Sequence, residues 1–393
     1  MKKSISKLLK LVALSLFIAN VSCSSDDDNN NGGNNSTFVL ERDNLQGTIN
    51  DGVVTLESGT YKLTGKLIVA NTATLVVKPG VIIEATELAE NQFESVRYIA
   101  VAQGGKIDVQ GTSTNPVVMT CENQTPGAWG GLVICGRAPI NKGTTASAEV
   151  SDLTYGGTDV NDNSGSIKYL RIEYSGYAYN ADKEFNGLSL FGVGKDTTIE
   201  YVQVHEGSDD GFEWFGGTVD SKYLVVSNFS SEVGDDLFDW TEGWNGVGQY
   251  WYGKRTNNGN RGIEADNNSN NHLASPISDP TISNLTLIGN NGGPENQAMK
   301  LRVGTKVTFD NLVLSNWGTG FDIQHNESVG YVANQELKAT NVKFENVTLN
   351  SKGTNTAGEA ADVSSVYTEN NSATGAGNGT AKPTWANGWT VGL

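Results

Sequence analysis

The stretch YVQVHEGSDDGFEWFGGTVDSKYLVVSNFSSEVGDDLFDW (201–240) carries two short patterns, each written twice and in alternation. The first is an aromatic followed by aliphatic, variable, aliphatic: Tyr201-Val202-Gln203-Val204, then Tyr223-Leu224-Val225-Val226. The second is GFEW (211–214), then LFDW (237–240). Both continue in either direction. The first returns at Tyr169-Leu170-Arg171-Ile172 and, with Asn leading, at Asn284-Leu285-Thr286-Leu287, Asn311-Leu312-Val313-Leu314 and Asn346-Val347-Thr348-Leu349. The second returns as GLSL (187–190), GIEA (262–265), AMKL (298–301) and GFDI (320–323). Its successive starts are 24, 26, 25, 36 and 22 residues apart. Short apolar runs broken by Gly, Asn and Asp signal strands. A β-sandwich has no reason to repeat the same tetrapeptides in order. A solenoid does, because each coil must present like residues to its neighbours. The expected fold is all-β, a single-stranded parallel β-helix of about a dozen coils over residues 38–393.

Stacking turns sequence positions into columns, each coil lying ~4.8 Å above the last. The inward columns read Leu188, Phe212, Phe238, Ile263, Met299, Phe321 and Leu190, Trp214, Trp240, Ala265, Leu301, Ile323. Corners need positive φ, which Gly and Asn adopt most readily. The chain has 47 glycines. Asn284, Asn311 and Asn346 are expected to form a hydrogen-bonded column that Tyr169, Tyr201 and Tyr223 continue as stacked rings.

The N-terminus is read as a targeting segment. Lys2, Lys3, Lys7 and Lys10 precede an apolar run from Leu11 to Ala19, too short to span a bilayer. Cys23 follows, then SSDDDNNNGGNNS. Residues 1–22 are expected to be a lipoprotein signal peptide and Cys23 the lipidated residue. Residues 23–37 form a polar tether with nothing to bury. The net charge is −17, and loss of the four leader lysines would leave −21. So acidic a chain lacks the basic face that sequence-independent nucleic-acid binding needs. Three cysteines exclude a disulfide scaffold, and three scattered histidines exclude a histidine-rich metal site.

Residues 104–141, GGKIDVQGTSTNPVVMTCENQTPGAWGGLVICGRAPIN, carry a family resemblance through GTSTNPVVMT, WGGLVI and GRAPIN. With RIEYSGY (171–177) and GSDDGFEWFGG (207–217), they resemble surface lipoproteins of Bacteroidota that fold as right-handed parallel β-helices. SCSSDDD around Cys23 resembles the start of such lipoproteins, where acidic residues after the cysteine accompany display on the cell surface. The resemblance implies an outer-membrane, lipid-anchored location and a right-handed helix, and adds little about chemistry.

The candidate site is the pair of acidic coils. One outward column reads Ser189, Glu213, Asp239, Glu264, Lys300, Asp322. Another reads Asn186, Asp210, Asp236, Arg261, Gln297, with Asp209 and Asp235 one step further out. Carboxylates ~5 Å apart repel by about 3 kcal/mol at an effective dielectric of about 20. Three compensations are open. Ca²⁺ can bridge Asp210, Glu213, Asp236 and Asp239. Some carboxyls can stay protonated, as in paired-acid catalytic sites. Or Arg261, Lys300 and Arg302 can neutralise the acids while Asp and Asn cap backbone N–H groups at the corners.

The paired acids GSDDGFEWF and EVGDDLFDW also resemble the paired-Asp coil of polygalacturonases, and KLR (300–302) their basic segment. The His-Gly pair of that family is missing at the matching place. Glycoside hydrolysis needs two carboxyls flanking a bond; a lyase would need Lys300 or Arg302 beside Ca²⁺. Trp244, Tyr250, Trp251 and Tyr252 fall in an irregular insertion (241–262), part of which, VGQYWY, reads as a strand. They are candidate sugar contacts or loop packing. His272 reads as a loop histidine without metal-ligand spacing to His205 or His325. Cys121 and Cys135 are buried core residues or a disulfide between coils. The functional expectations are three: a non-catalytic glycan- or ligand-binding surface protein; a polysaccharide lyase or glycoside hydrolase using Glu213, Asp236, Asp239, Lys300 or Arg302; or a structural spacer. An outer-membrane transporter is an expected partner under the first.

Overall fold

Each coil of the chain contributes to three parallel sheets. A computed structural model describes residues 35–88, 95–180, 183–230, 234–256 and 258–393. The leader 1–22, Cys23 and most of the tether lie outside the described residues. Asn35, Ser36 and Thr37 bond the first coil: the Val53 N–H donates to Asn35 Oδ1 at 2.7 Å, and the Thr37 N–H to Asp51 Oδ1 at 2.8 Å.

The third sheet stacks eleven segments in order: Leu45–Ile49, Thr60–Val69, Ile99–Val101, Leu132–Cys135, Leu188–Phe191, Phe212–Phe215, Phe238–Thr241, Ile263–Ala265, Gln297–Leu301, Val307–Gln324 and Leu337–Thr354. The first and second sheets are formed by strands such as Gly165–Glu173, Thr198–His205, Ser221–Asn228, Val247–Arg255 and Thr281–Ile288. Each of these bends once, so its first half joins the first sheet and its second half the second. The molecule is a parallel β-helix.

The inward columns are as read from the sequence. Leu188 pairs with Phe212, Phe212 with Phe238, Phe238 with Ile263, Ile263 with Met299 and Met299 with Phe321. All are fully buried, as is the column from Leu190 to Ile323. Around Trp214 the core is aromatic, its ring stacking 5.0 Å from Trp251 and 4.7 Å from Trp244.

The bend between the first two sheets is a column of left-handed residues. Tyr169, Tyr201, Tyr223, Tyr250, Asn284, Asn311 and Asn341 have φ between 52° and 60°. Asn tolerates this conformation and Tyr is strained by it. Ring stacking offsets the strain, with centroids 4.3, 4.3 and 5.1 Å apart from Tyr169 through Tyr250. Asn311 Nδ2 donates to Asn284 Oδ1 at 2.7 Å. The next rung is Asn341, because Leu312 pairs with Val342. This corrects the assignment of Asn346, which instead donates to Asn316 at 2.9 Å and turns a second corner. NVKF (341–344) and NVTL (346–349) share one pattern, and only the register separates them.

Two further expectations change. The helix Asn326–Ala333 is too short to show periodicity in sequence. Cys121 and Cys135 are both buried and free, so no disulfide joins the coils. The C-terminal segment runs back along the second sheet. There Gln203 Nε2 donates to the Val391 carbonyl at 2.7 Å, and the Val391 N–H returns to Gln203 Oε1 at 2.9 Å.

Candidate functional site: a carboxylate ladder at a β-helix corner

The outward column of the third sheet pairs Ser189 with Glu213, Glu213 with Asp239, Asp239 with Glu264, Glu264 with Lys300, and Lys300 with Asp322. At the preceding corner Asp210, Asp236 and Arg261 stack. The Gly187 N–H donates to the Asp210 carbonyl at 2.9 Å, and the Gly211 N–H to the Asp236 carbonyl at 3.1 Å. The side chains continue the staircase. Asp210 Oδ1 accepts the Asp236 N–H at 2.8 Å, and Asp236 Oδ1 accepts the Arg261 N–H. Each second Asp of a DD pair therefore caps the backbone of the next coil.

Cations gather at one end of the ladder. Arg261 Nη1 donates to Asp236 Oδ2 at 3.1 Å and Glu264 Oε2 at 3.0 Å, while Nη2 lies 3.0 Å from Glu295. Arg302 spans Glu264 and Asp266, both at 2.8 Å, and Lys300 lies 3.6 Å from Glu295. At the other end, among the described residues, Asp209, Asp210 and Glu213 have no ion pair. Glu213 accepts Asn186 Nδ2 at 2.6 Å. Three carboxylate triads keep their oxygens within 4.8 Å of one another: Asp209, Asp210, Asp235; Asp210, Glu213, Asp239; and Asp236, Asp239, Glu264.

Insertions add acids that no repeat announces. The hairpin of Ala146–Ser147 and Thr154–Tyr155 carries Glu149 between its strands. The Tyr155 hydroxyl donates to Glu242 Oε2 at 2.6 Å, and Lys142 lies 2.9 Å from Glu242 Oε1. Burial, then the charges of Glu149 and Asp209, hold the Glu213 carboxyl well above the usual range. Burial, then Glu213 and Glu264, do the same for Asp239. Asp209 and Asp210 are raised too, first by burial. Asp236 is pushed up to about 8 by burial and its acidic neighbours against the pull of Arg261, and Glu149 to about 7, chiefly by burial.

A raised carboxyl pKa means that the native state holds protons the unfolded chain has released. Stability from these groups is present at about pH 4 and is lost as pH rises through the folded values toward 8. Thermal unfolding in chelator is expected to show a lower Tm at about pH 8.5 than at about pH 5, by several degrees. Glu213→Gln/Asp239→Asn should narrow that gap; an unchanged gap would show that the ladder does not set it. Millimolar Ca²⁺ should restore the wild-type Tm at the higher pH only where a cation replaces the protons.

The four aromatic candidates do not form a sugar platform. Trp244 and Trp251 are fully buried. Trp244 stacks on Trp214, and its Nε1 donates to the Val219 carbonyl at 3.1 Å. VGQYWY lies in the strand Val247–Arg255, whose bend at Tyr250 turns Trp251 inward. Tyr252 points outward but is covered by the C-terminal segment, its hydroxyl donating to the Thr380 carbonyl at 3.0 Å. Tyr250 alone is partly exposed, and one face is taken by Tyr223.

The histidines hold another surprise. His272 Nδ1 lies 2.8 Å from Glu327 Oε2, and the His272 and His325 rings are 4.9 Å apart. A sequence separation of more than 50 residues hid this contact. It ties the loop around His272 to the short helix.

Fold and corner together define a parallel β-helix with a buried, partly neutralised carboxylate ladder. The chain belongs to the pectate-lyase-like beta helix domain family, whose model matches residues 47–390. No curated protein matches the chain. Among solved structures, the Dettilon tailspike protein is 10% identical with a TM-score of 0.32, over 76% of this chain and 60% of that one. Geobacillus virus E2 ORF18 is 13% identical with a TM-score of 0.18, over 78% of this chain and 54% of its own. The chain thus spans somewhat over half the length of the structures it matches, and such scores carry no functional argument.

Proposed function

We propose that this protein is a non-catalytic polysaccharide-binding β-helix, held by a lipid on Cys23 at the outer face of a bacterial outer membrane. The family supplies the glycan side of the reading. The observation that carries the non-catalytic side is the bonding of the DD pairs. Asp210 and Asp236 accept backbone N–H groups, and Arg261 closes on Asp236. A carboxylate engaged in this way is a poor nucleophile or proton donor for a glycosidic bond. The location rests on the leader sequence and Cys23. Among the described residues no helix is long and apolar enough to cross a membrane.

One observation favours a second reading. Glu213 and Asp239 lie on adjacent coils with raised pKa values, as a general acid requires. Incubation of the purified protein with a polysaccharide panel, with and without Ca²⁺, decides between them. Retention on one or more polysaccharides without cleavage is expected. New reducing ends or unsaturated products, lost in Glu213→Gln, would replace the binding reading with an enzymatic one.

A further inference from the structure

Two histidines close on one corner of the solenoid, near its C-terminal coils. The corner is Val303-Gly304, between the strands Gln297–Leu301 and Val307–Gln324. Both residues are left-handed, with φ of 40° and 87°. Glycine adopts this freely, but a β-branched valine there is an outlier. A Cβ at Gly304 would lie 1.9 Å from the His272 carbonyl oxygen, so the loop that carries His272 sits directly on the corner. Val303 is buried. A backbone conformation this costly persists only where its surroundings hold it.

The hold comes from the short helix. The Val303 N–H donates to His325 Nδ1 at 3.2 Å, and the Gly304 N–H to Ser328 Oγ at 3.0 Å. His325 stands directly before the helix Asn326–Ala333 and is itself left-handed, with φ of 74°. Its own N–H donates to the Thr354 carbonyl at 2.9 Å. The His272 ring lies 4.9 Å from that of His325, and its Nδ1 reaches Glu327 on the same helix at 2.8 Å. Loop, corner and helix are thus joined through the two rings.

The rings answer protons differently. A ring nitrogen that accepts an N–H carries no proton, so His325 is neutral with its proton on Nε2. A second proton would put an N–H on Nδ1, facing the Val303 N–H, and the bond would be lost. His272 keeps its bond in either charge state, because Nδ1–H donates to a carboxylate. The charged and titratable groups around His325 are Arg302 beside the corner, His272 from the loop and Glu327 from the helix. Arg302 is already engaged by Glu264 and Asp266. Burial, then the charges of His272 and Arg302, hold the His325 imidazole below its usual value, against the pull of Glu327. A base held down in the folded state contributes stability above its unfolded value of about 6.5, and that stability is lost as pH falls below it. The sign is opposite to that of the carboxylate ladder.

We propose that His325 is a proton-operated latch: as a neutral ring it holds the Val303-Gly304 corner to the helix, and as an imidazolium it lets the two part while the coils stay folded. Hydrogen exchange of the full protein, followed by mass spectrometry at about pH 7.5 and about pH 5 and corrected for intrinsic rates, tests it. Segments covering Arg302–Thr305 and Asn326–Ala333 are expected to exchange at least about tenfold faster at the lower pH, while the strand Thr281–Ile288 stays protected. Asn carries Oδ1 where His carries Nδ1 and tolerates positive φ, so His325→Asn keeps the acceptor without the titration. That variant should exchange slowly at both pH values, and His325→Leu rapidly at both. No pH response in the wild type would overturn the latch. So would a response that persists in His325→Asn and disappears in His272→Asn, which would place the sensor at His272. Faster exchange of Thr281–Ile288 in step with the corner would overturn it as well, since the whole solenoid would then be opening.

Discussion

Replacing Arg261 by methionine is expected to destabilise the protein by about 3–5 kcal/mol at pH 8.5, the usual cost of removing one partner of a buried charge pair. Arg261 is only 6% exposed and touches Asp236, Glu264 and Glu295 together. Its loss leaves three acids facing one another beside Asp239. Without the guanidinium the Asp236 carboxyl, already raised by burial, loses the charge that pulls it down, so the deficit grows with pH. At about pH 5 the Asp236 carboxyl holds its proton, and most of the loss should disappear. Urea unfolding of wild type and Arg261→Met at both pH values measures this. Equal losses at the two pH values would mean that Arg261 acts by packing alone.

The second large effect is expected at Trp251. Its ring lies 5.0 Å from Trp214 and 4.7 Å from Phe238, and it is fully buried. Trp251→Ala should cost about 3–5 kcal/mol through lost burial and an unfilled cavity. Trp251→Phe should cost far less, because it keeps an aromatic ring in the stack. A sugar-contact role predicts the opposite balance: unchanged stability and lost glycan retention. Unfolding curves and binding measured on the same two variants separate these outcomes.

The two substitutions probe different kinds of legibility. Trp251 was ambiguous because VGQYWY opens Val-Gly-Gln and then bends at Tyr250. The left-handed turn at Tyr250 resets the alternation, so counting from Val247 does not settle which side Trp251 faces. Arg261 was legible as a column member. Its contact with Glu295 was not, because Glu295 belongs to a loop of no fixed period.

The slip at Asn346 shows the same limit. A tetrapeptide pattern specifies a corner and a strand without saying which corner of which coil. Glu149 and Glu242 reach the ladder region from insertions, and His272 meets Glu327 across a long stretch of chain. Nothing periodic marks these residues.

What the sequence by itself determined is the solenoid: parallel stacking, the two inward columns and the register of the acidic coils. The physical reason is that identical backbone steps of ~4.8 Å demand like residues at like positions, so the repeat is written in the chain. The tertiary structure alone decided what each charge meets. It closed Arg261 and Arg302 on one end of the ladder, used Asp210 and Asp236 as backbone caps and buried Trp244 and Trp251. Those outcomes depend on the insertions and on the C-terminal segment that covers the second sheet. Their paths are set by packing between distant residues, for which the sequence has no period.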